Sequence, residues 1–230
     1  GHLKRLKRSL SELDMQEPDA INDLLEIHRT LVRDNQVDQG GVYLQVTRGV
    51  ADRDFIYPEN VKSTLVMFTQ SKDILGSKLV EKGMKVISID DLRWGRRDIK
   101  TVQLLYPSMG KMMAKSAKCD DAWMVEDGFV TEGTSNNAYI VVDNKIITRE
   151  LSNDILHGIT RNSVLRYAEE AQMEIEERPF SVKEVLAADE AFITSASTFV
   201  MPVVEIDGEP IGEGRPGRVS KRLREIYIEE

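Results

Sequence analysis

A mixed α/β protein, with α+β character in its later half, is implied by three features of the sequence. Amphipathic helical segments are interspersed with β-branched strand segments along most of the chain, Asp-initiated two-residue turns separate apolar runs in the second half, and no internal repeat is present. The 230 residues (26.1 kDa) suffice for a core that buries roughly 70 to 75% of the unfolded chain's surface without disulfide staples.

The elements follow in order. GHLKRLKRSL holds five basic residues in ten (His2, Lys4, Arg5, Lys7 and Arg8), a pattern that usually means a solvated helix face. Over residues 19–34, Ile21, Leu24, Leu25, His28 and Leu31 recur at helical spacing and predict one amphipathic helix. VYLQVTRG (42–49) alternates as a strand, ADRDFIYPEN is a looser stretch, and strands are expected at 64–69 and 85–90 with a connection at 78–83. RWGRRDIK (93–100) suits no regular element. TVQLLYPSMGKMMAKSA has a helical period that tolerates Pro107 in its first turns.

The second half predicts hairpins at Asp127-Gly128, Asp143-Asn144 and within VMPVVEIDGEPIG. A helix is expected from Thr160 to Ala171, strands at EIEERPF and EAFITSAS, and a short helix at SVKEVLAAD with a Ser181/Glu184 capping box. A terminal helix starts at about Gly217. A composition change between Ile99 and Lys111 suggests two domains, residues 1–94 and 95–230.

With 31 Lys+Arg against 39 Asp+Glu the net charge is −8, which argues against nucleic acid as a partner. The longest apolar runs fall far short of a membrane span, no signal-peptide pattern is present, and the first residue is Gly, as for a sequence beginning inside a longer protein. The lone Cys119 offers no internal disulfide or metal cluster and suits a reducing, cytoplasmic compartment.

Four loops carry groups able to do chemistry. Lys100 follows Ile99 and precedes TVQLL, where desolvation would lower an amine's pKa toward nucleophilic use, although most lysines are merely solvated. VTEGTSNN sets Glu132 beside Gly133 and small polar residues, which suits either an oriented carboxylate with open amides or a plain polar turn. HGITR opens a helix at Gly158, Ile159 and Thr160, and free amides there favour an anion or are simply an N-cap. TSAST (194–198) is a second candidate nest.

In order, H-x-x-R-L, RWxRRDIK, TEGTSNN, HGITR and FITSAS resemble the class IV (fold type IV) pyridoxal-phosphate aminotransferases over nearly the whole chain. The resemblance implies a two-domain fold with the active site between the domains and pyridoxal 5′-phosphate as cofactor. Lys100 would form the Schiff base and shuttle protons, and Glu132 would face the pyridine nitrogen. Arg5, with His2 beside it, would grip the phosphate together with Ile159 and Thr160, while Leu156 packs by the ring. Asn136, Ser195 and Ala196 join the cofactor set, and Ala196 stands where the family often has threonine.

DIK followed by an apolar run, and VY-x-Q-x-TRG before R-x-F, are similar to the D-amino-acid transaminases. Arg53 and Tyr43, with Ser197, would then bind substrate, although Phe55 stands where some members have histidine. The implied reaction passes the amino group of a D-amino acid, D-alanine first, to a 2-oxo acid such as 2-oxoglutarate. Branched-chain transaminase, aminodeoxychorismate lyase and amine transaminase activities share the scaffold, and a noncatalytic phosphate-binding protein is the non-enzyme rival. The family's usual residues before H-x-x-R-L are not in this sequence. The resemblance further implies a homodimer.

Overall fold

The structure, a computed structural model, describes residues 1–230. The chain divides into two compact units, Gly1–Gly76 and Ser77–Glu230. No helix is long and apolar enough to cross a membrane.

In the first unit the basic segment forms α1 (His2–Glu12), which buries Ser9 and Leu10 and leaves most of its cations exposed or half-buried. The single helix expected over 19–34 is two elements, a 3-10 turn (Asp19–Asn22) and α2 (Leu24–Asp34). The break falls at Asn22-Asp23, where the Asp23 amide donates to the Ala20 carbonyl at 3.0 Å, an i to i−3 bond that closes the 3-10 turn. Ile21 and Leu24 are buried on either side of the break, while Leu25 stays 64% exposed. Strands β1 (Gly40–Thr47) and β2 (Thr64–Ser71) pair antiparallel, with Tyr43 opposite Phe68 and their rings stacked at 4.8 Å. Arg48 donates to the carbonyls of Leu13 and Asp14 and lies 3.6 Å from the Tyr57 ring centre, tying the loop after β1 to the end of α1.

The second unit is built on a nine-stranded sheet. Its strands are β3 (Met84–Asp90), β4 (Asp121–Glu126), β5 (Phe129–Gly133), β6 (Asn137–Val142), β7 (Lys145–Thr148), β8 (Glu174–Glu177), β9 (Glu190–Ser195), β10 (Phe199–Ile206) and the short β11 (Glu209–Pro210). The spatial order is β5-β4-β3-β10-β9-β6-β7-β8, with β11 on β10. Pairs β3/β4, β3/β10 and β7/β8 are parallel, which requires crossovers. Helix α4 (Leu105–Ser116) supplies the first and α5 (Ile159–Glu170) that between β7 and β8. The 78–83 connection carries one helical turn, α3 (Leu79–Lys82).

The expected boundary near residue 94 is thus displaced. Met84–Asp90 sits inside the large sheet between β4 and β10, so residues 77–94 belong to the second unit. The change of composition marks the long loop after β3, a crossover within one unit.

Alternation along β6 explains both layers of core. Ala138 and Ile140 join Ile193, Phe180 and Val185 on one face, under α6 (Val182–Ala187). Tyr139 and Val141 join Phe192, Val164 and Leu223 on the other, under α5 and α7 (Arg218–Glu229). The hairpins form where expected, with positive φ at Asp127, Gly128, Asp143 and Asn144. The capping box joins Ser181 and Glu184.

Candidate active site

The end of β3 opens a buried polar network. Asp91 lies against β4, its amide donating to the Val125 carbonyl at 2.8 Å. Arg93 forks onto Asp91 through Nε at 2.9 Å and Nη2 at 2.7 Å, and its Nη1 donates to Glu132 Oε1 at 2.7 Å. Thr131 donates its hydroxyl to Asp91 Oδ2 at 2.7 Å. One guanidinium therefore bridges two buried carboxylates, from the loop after β3 and the end of β5. Burial opposes ionisation of Asp91, but the hydrogen bonds from Arg93 and Thr131 and the Arg93 and Arg97 charges hold its carboxyl below the ordinary range. For Arg93, burial is outweighed by its bond to Asp91 and the charges of Glu132 and Asp91, which keep the guanidinium firmly protonated.

Glu132 is 4% exposed. Its Oε2 accepts from Asn137 Nδ2 at 3.0 Å and from the Leu156 amide at 3.1 Å, while Oε1 accepts only from Arg93. Burial pushes its carboxyl up, against the pull of Arg93. A carboxylate oxygen can accept more than one hydrogen bond, so Oε1 retains room for a donor from a ligand. Asn137 also donates to the Leu156 carbonyl at 2.9 Å and stands opposite Thr194 in the β6/β9 register.

The Gly158 loop is coupled to this carboxylate. A Cβ at Gly158 would lie 2.1 Å from Asn137 Oδ1, so a side chain there would displace the amide that orients Glu132. Gly158 is the N-cap of α5, and no side chain caps that end. The amides of Ile159 and Thr160 consequently lack intrahelical acceptors and face outward with the positive end of the helix dipole. Helix α5 packs on β9, whose last residues Thr194 and Ser195 lead into the TSAST turn. The TEG, GIT and TSAST segments are therefore brought together through Asn137.

This donor set fits a phosphate ester of a protonatable nitrogen heterocycle. It offers open helix amides for an anion and a buried carboxylate with acceptor capacity for an N–H group.

Other expected residues are placed differently from their sequence reading. Lys100 is exposed and lies in neither strand nor helix, ten residues beyond the end of β3, because α4 begins only at Leu105. The apolar helix expected to begin at this lysine begins further along the chain, at α4. Its backbone is nonetheless anchored. Ile99 and Asp98 are buried, Arg96 pairs with Asp98 at 3.0 Å, and Arg97 binds Glu126 at 2.7 and 2.8 Å while its amide donates to the Asn153 carbonyl.

Asn136 turns its amide to Asp121 Oδ2 at 2.6 Å, and Gly133 leaves room for that side chain to fold beneath the loop. The Glu132 carboxylate is instead bonded by the next residue, Asn137. The Ser195 hydroxyl is engaged within its own turn, with Thr198 Oγ1 at 2.7 Å and the Thr198 amide at 3.2 Å, while Ala196 and Ser197 are exposed. Leu156 takes part through its amide and carbonyl.

In the first unit, Arg5 is half-buried on α1 with its Nη2 3.5 Å from His2 Nδ1, and burial depresses its guanidinium. Tyr43 donates its hydroxyl to Gln45 Oε1 at 2.7 Å. Arg53 lies on an exposed loop with its guanidinium 5.4 Å from the Phe55 ring centre. Arg93, Asp91 and Asn137 escaped sequence reasoning. Arg93 was the first residue of a segment that fitted no regular element, and that irregularity was the available signal.

Known proteins resemble this chain in sequence and fold. The amino-transferase class IV family model matches residues 1–206. A D-alanine aminotransferase of Staphylococcus aureus (strain N315) is 36% identical over 98% of this chain and 80% of its own length, and one of Bacillus licheniformis is 39% identical over 97% and 78%. A branched-chain amino acid aminotransferase of T.th., solved with pyridoxamine 5′-phosphate, superimposes with a TM-score of 0.90 at 29% identity, covering 99% of this chain and 77% of that one. The family model over most of the chain and relatives at 36 and 39% identity show that the chain belongs to the class IV aminotransferases, a family of pyridoxal-phosphate-dependent enzymes.

Proposed function

We propose that the chain is a D-amino-acid transaminase that moves the amino group of D-alanine to a 2-oxo acid such as 2-oxoglutarate. The observation carrying this reading is its likeness, over almost its whole length, to D-alanine aminotransferases. When bound, pyridoxal 5′-phosphate supplies an aldehyde carbon and an electron-accepting ring.

The chain's own residues have distinct tasks. Lys100 would supply the amine for the aldehyde and would carry the proton to and from the substrate Cα. Glu132 holds a proton on the ring nitrogen through Oε1, with Arg93, Asn137 and the Leu156 amide fixing its orientation. The Ile159 and Thr160 amides, the Thr160 hydroxyl, the Ala196 amide and the Arg5 guanidinium hold the phosphate, with Ser195 shaping the turn. Arg53, Tyr43 and Ser197 receive the substrate carboxylate. The lone Cys119, which is unpaired, supports a cytoplasmic setting.

The test is a spectrum of the purified, cofactor-loaded protein during addition of D-alanine and then L-alanine, with 2-oxoglutarate as acceptor. Conversion to the pyridoxamine form with the D isomer alone, and glutamate formation, are expected. A response to L-leucine and not D-alanine would move the chain to the branched-chain branch. Pyruvate release without an acceptor would indicate a lyase.

A homodimer is part of the proposal. Gly110 and Ala114 of α4 pack on the sheet, whereas Leu105, Met109, Met112 and Met113 leave an apolar stripe on its other side between 46 and 78% exposed. A second copy is the proposed cover. Light scattering should return twice the chain mass, and Met112→Glu should shift the population to the monomer. An unchanged mass in that variant would place the interface elsewhere.

A further inference from the structure

The TSAST turn ends at a backbone conformation that its sequence does not favour. Phe199, the first residue of β10, has φ +58°, the left-handed region in which a bulky aromatic is uncommon and strained. The surroundings impose that geometry. Arg224 of α7 donates from Nη1 to the Thr198 carbonyl at 2.6 Å and to the Val200 carbonyl at 2.8 Å, clasping the chain on both sides of Phe199. The Phe199 ring packs 5.4 Å from Tyr227 and 5.6 Å from the Arg224 guanidinium, one turn apart on the same helix.

Arg224 is only 6% exposed and is paired with no carboxylate, so its charge is used on neutral carbonyls, and burial depresses the guanidinium. A buried arginine without a counter-ion is costly to keep. The other end of α7 is equally fixed. Glu190, at the start of β9, accepts from the amides of Val219 at 2.9 Å and Ser220 at 3.1 Å. A Cβ at Gly217 would lie 1.9 Å from its carboxyl carbon. Helix α7 therefore grips β9 at its start and the backbone just beyond its end, with the TSAST turn held under the Arg224 end.

We infer that Arg224 is a positioning residue for the anion-binding turn, acting by holding Phe199 in the left-handed conformation so that the Ser195–Thr198 amides and hydroxyls present one fixed surface. This rests on the proposed assignment of that turn to the cofactor phosphate. Release of Phe199 to an extended conformation would rotate the Thr198 carbonyl and reshape the turn.

The test measures the Kd of the 230-residue chain for pyridoxal 5′-phosphate by equilibrium dialysis, a readout independent of turnover. Arg224→Met should weaken binding about tenfold, the penalty of a left-handed residue without its clasp. Arg224→Lys, which can still reach the carbonyls, should bind nearly as the parent. The decisive variant is Phe199→Gly combined with Arg224→Met. Glycine adopts the left-handed region without strain, so the double variant should recover binding to within about twofold of the parent.

Parental affinity in Arg224→Met alone, or a double variant as weak as the single one, would overturn the inference. If circular dichroism shows Arg224→Met unfolded, the double variant decides. Folded and binding supports local positioning, and unfolded overturns it in favour of a purely global role. Failure of the parent chain to bind the cofactor would defeat the phosphate assignment and this inference together, whereas parental binding unaltered by Arg224→Met defeats the inference alone.

Discussion

Replacing Lys100 with alanine should lower kcat/KM for D-alanine by on the order of 10⁴ or more while leaving the fold intact. The first part follows from the proposed role. The variant loses both the amine that joins the aldehyde and the group that carries the substrate proton, and general acid–base catalysis alone contributes about 10² to 10⁴. The second part follows from the structure. Lys100 is exposed and lies outside every helix and strand, and substitutions at such surface positions usually change stability by no more than about 0.5 kcal/mol. Ile99, Asp98 and Arg97 anchor the segment.

Borohydride reduction followed by mass spectrometry gives the direct check. The parent should gain the mass of the reduced cofactor on the peptide containing Lys100, and Lys100→Ala should gain none. Retention of a reducible adduct elsewhere in the variant would remove Lys100 from its assigned role. A melting temperature well below the parent's would show that the lysine is structural.

The second large effect is expected at Arg93. Arg93→Met removes the only cation shared by Asp91 and Glu132, both more than nine-tenths buried, and breaking a buried ion pair on one side costs about 3 to 5 kcal/mol. For a chain of this size that corresponds to a fall in Tm of roughly 10 °C. Arg93→Lys should recover only part of the loss, because one ammonium cannot fork onto Asp91 and reach Glu132 together.

The pH dependence identifies the cause. In the parent, Asp91 titrates below its ordinary range, so its contribution is present above the unfolded value of about 3.9 and is lost as pH falls through the lower folded value. Glu132, raised by burial, acts in the opposite sense. Its folded form keeps a proton that the unfolded chain has released, and stability declines as pH rises through its folded value. Without Arg93 both carboxyls move upward. The deficit of Arg93→Met against the parent should therefore be largest near neutrality and shrink toward about pH 4. Denaturant unfolding at several pH values measures it, and a deficit constant with pH would mean lost packing instead of lost charge compensation.

Local chemistry made much of the fold legible. The three Asp-led turns could close only as tight hairpins, since Asp, Asn and Gly tolerate positive φ, and all three are present. Ser181 and Glu184 announced the start of α6 because a capping box is complete within four residues. Longer-range readings fared less well. The helical period over residues 19–34 was continuous in sequence, yet Asn22-Asp23 divided it. The change in composition near Ile99 marked a crossover loop, because strand neighbours in a parallel sheet are separated by a whole helix and leave no local trace.

The sequence by itself carried the resemblance to the class IV aminotransferases, since TEG, GIT and DIK are short segments that can be read without their distant neighbours. Only the tertiary structure decided how those groups are held. Arg93 reaches Glu132 across 39 residues, Asn137 links Glu132 to Gly158, and Arg224 clasps a turn 26 residues earlier. Such partners are chosen by burial, which makes every unpaired polar group costly and so selects the distant side chain able to satisfy it. Periodicity and spacing report what a segment does with its neighbours in the chain, and that selection takes place between segments.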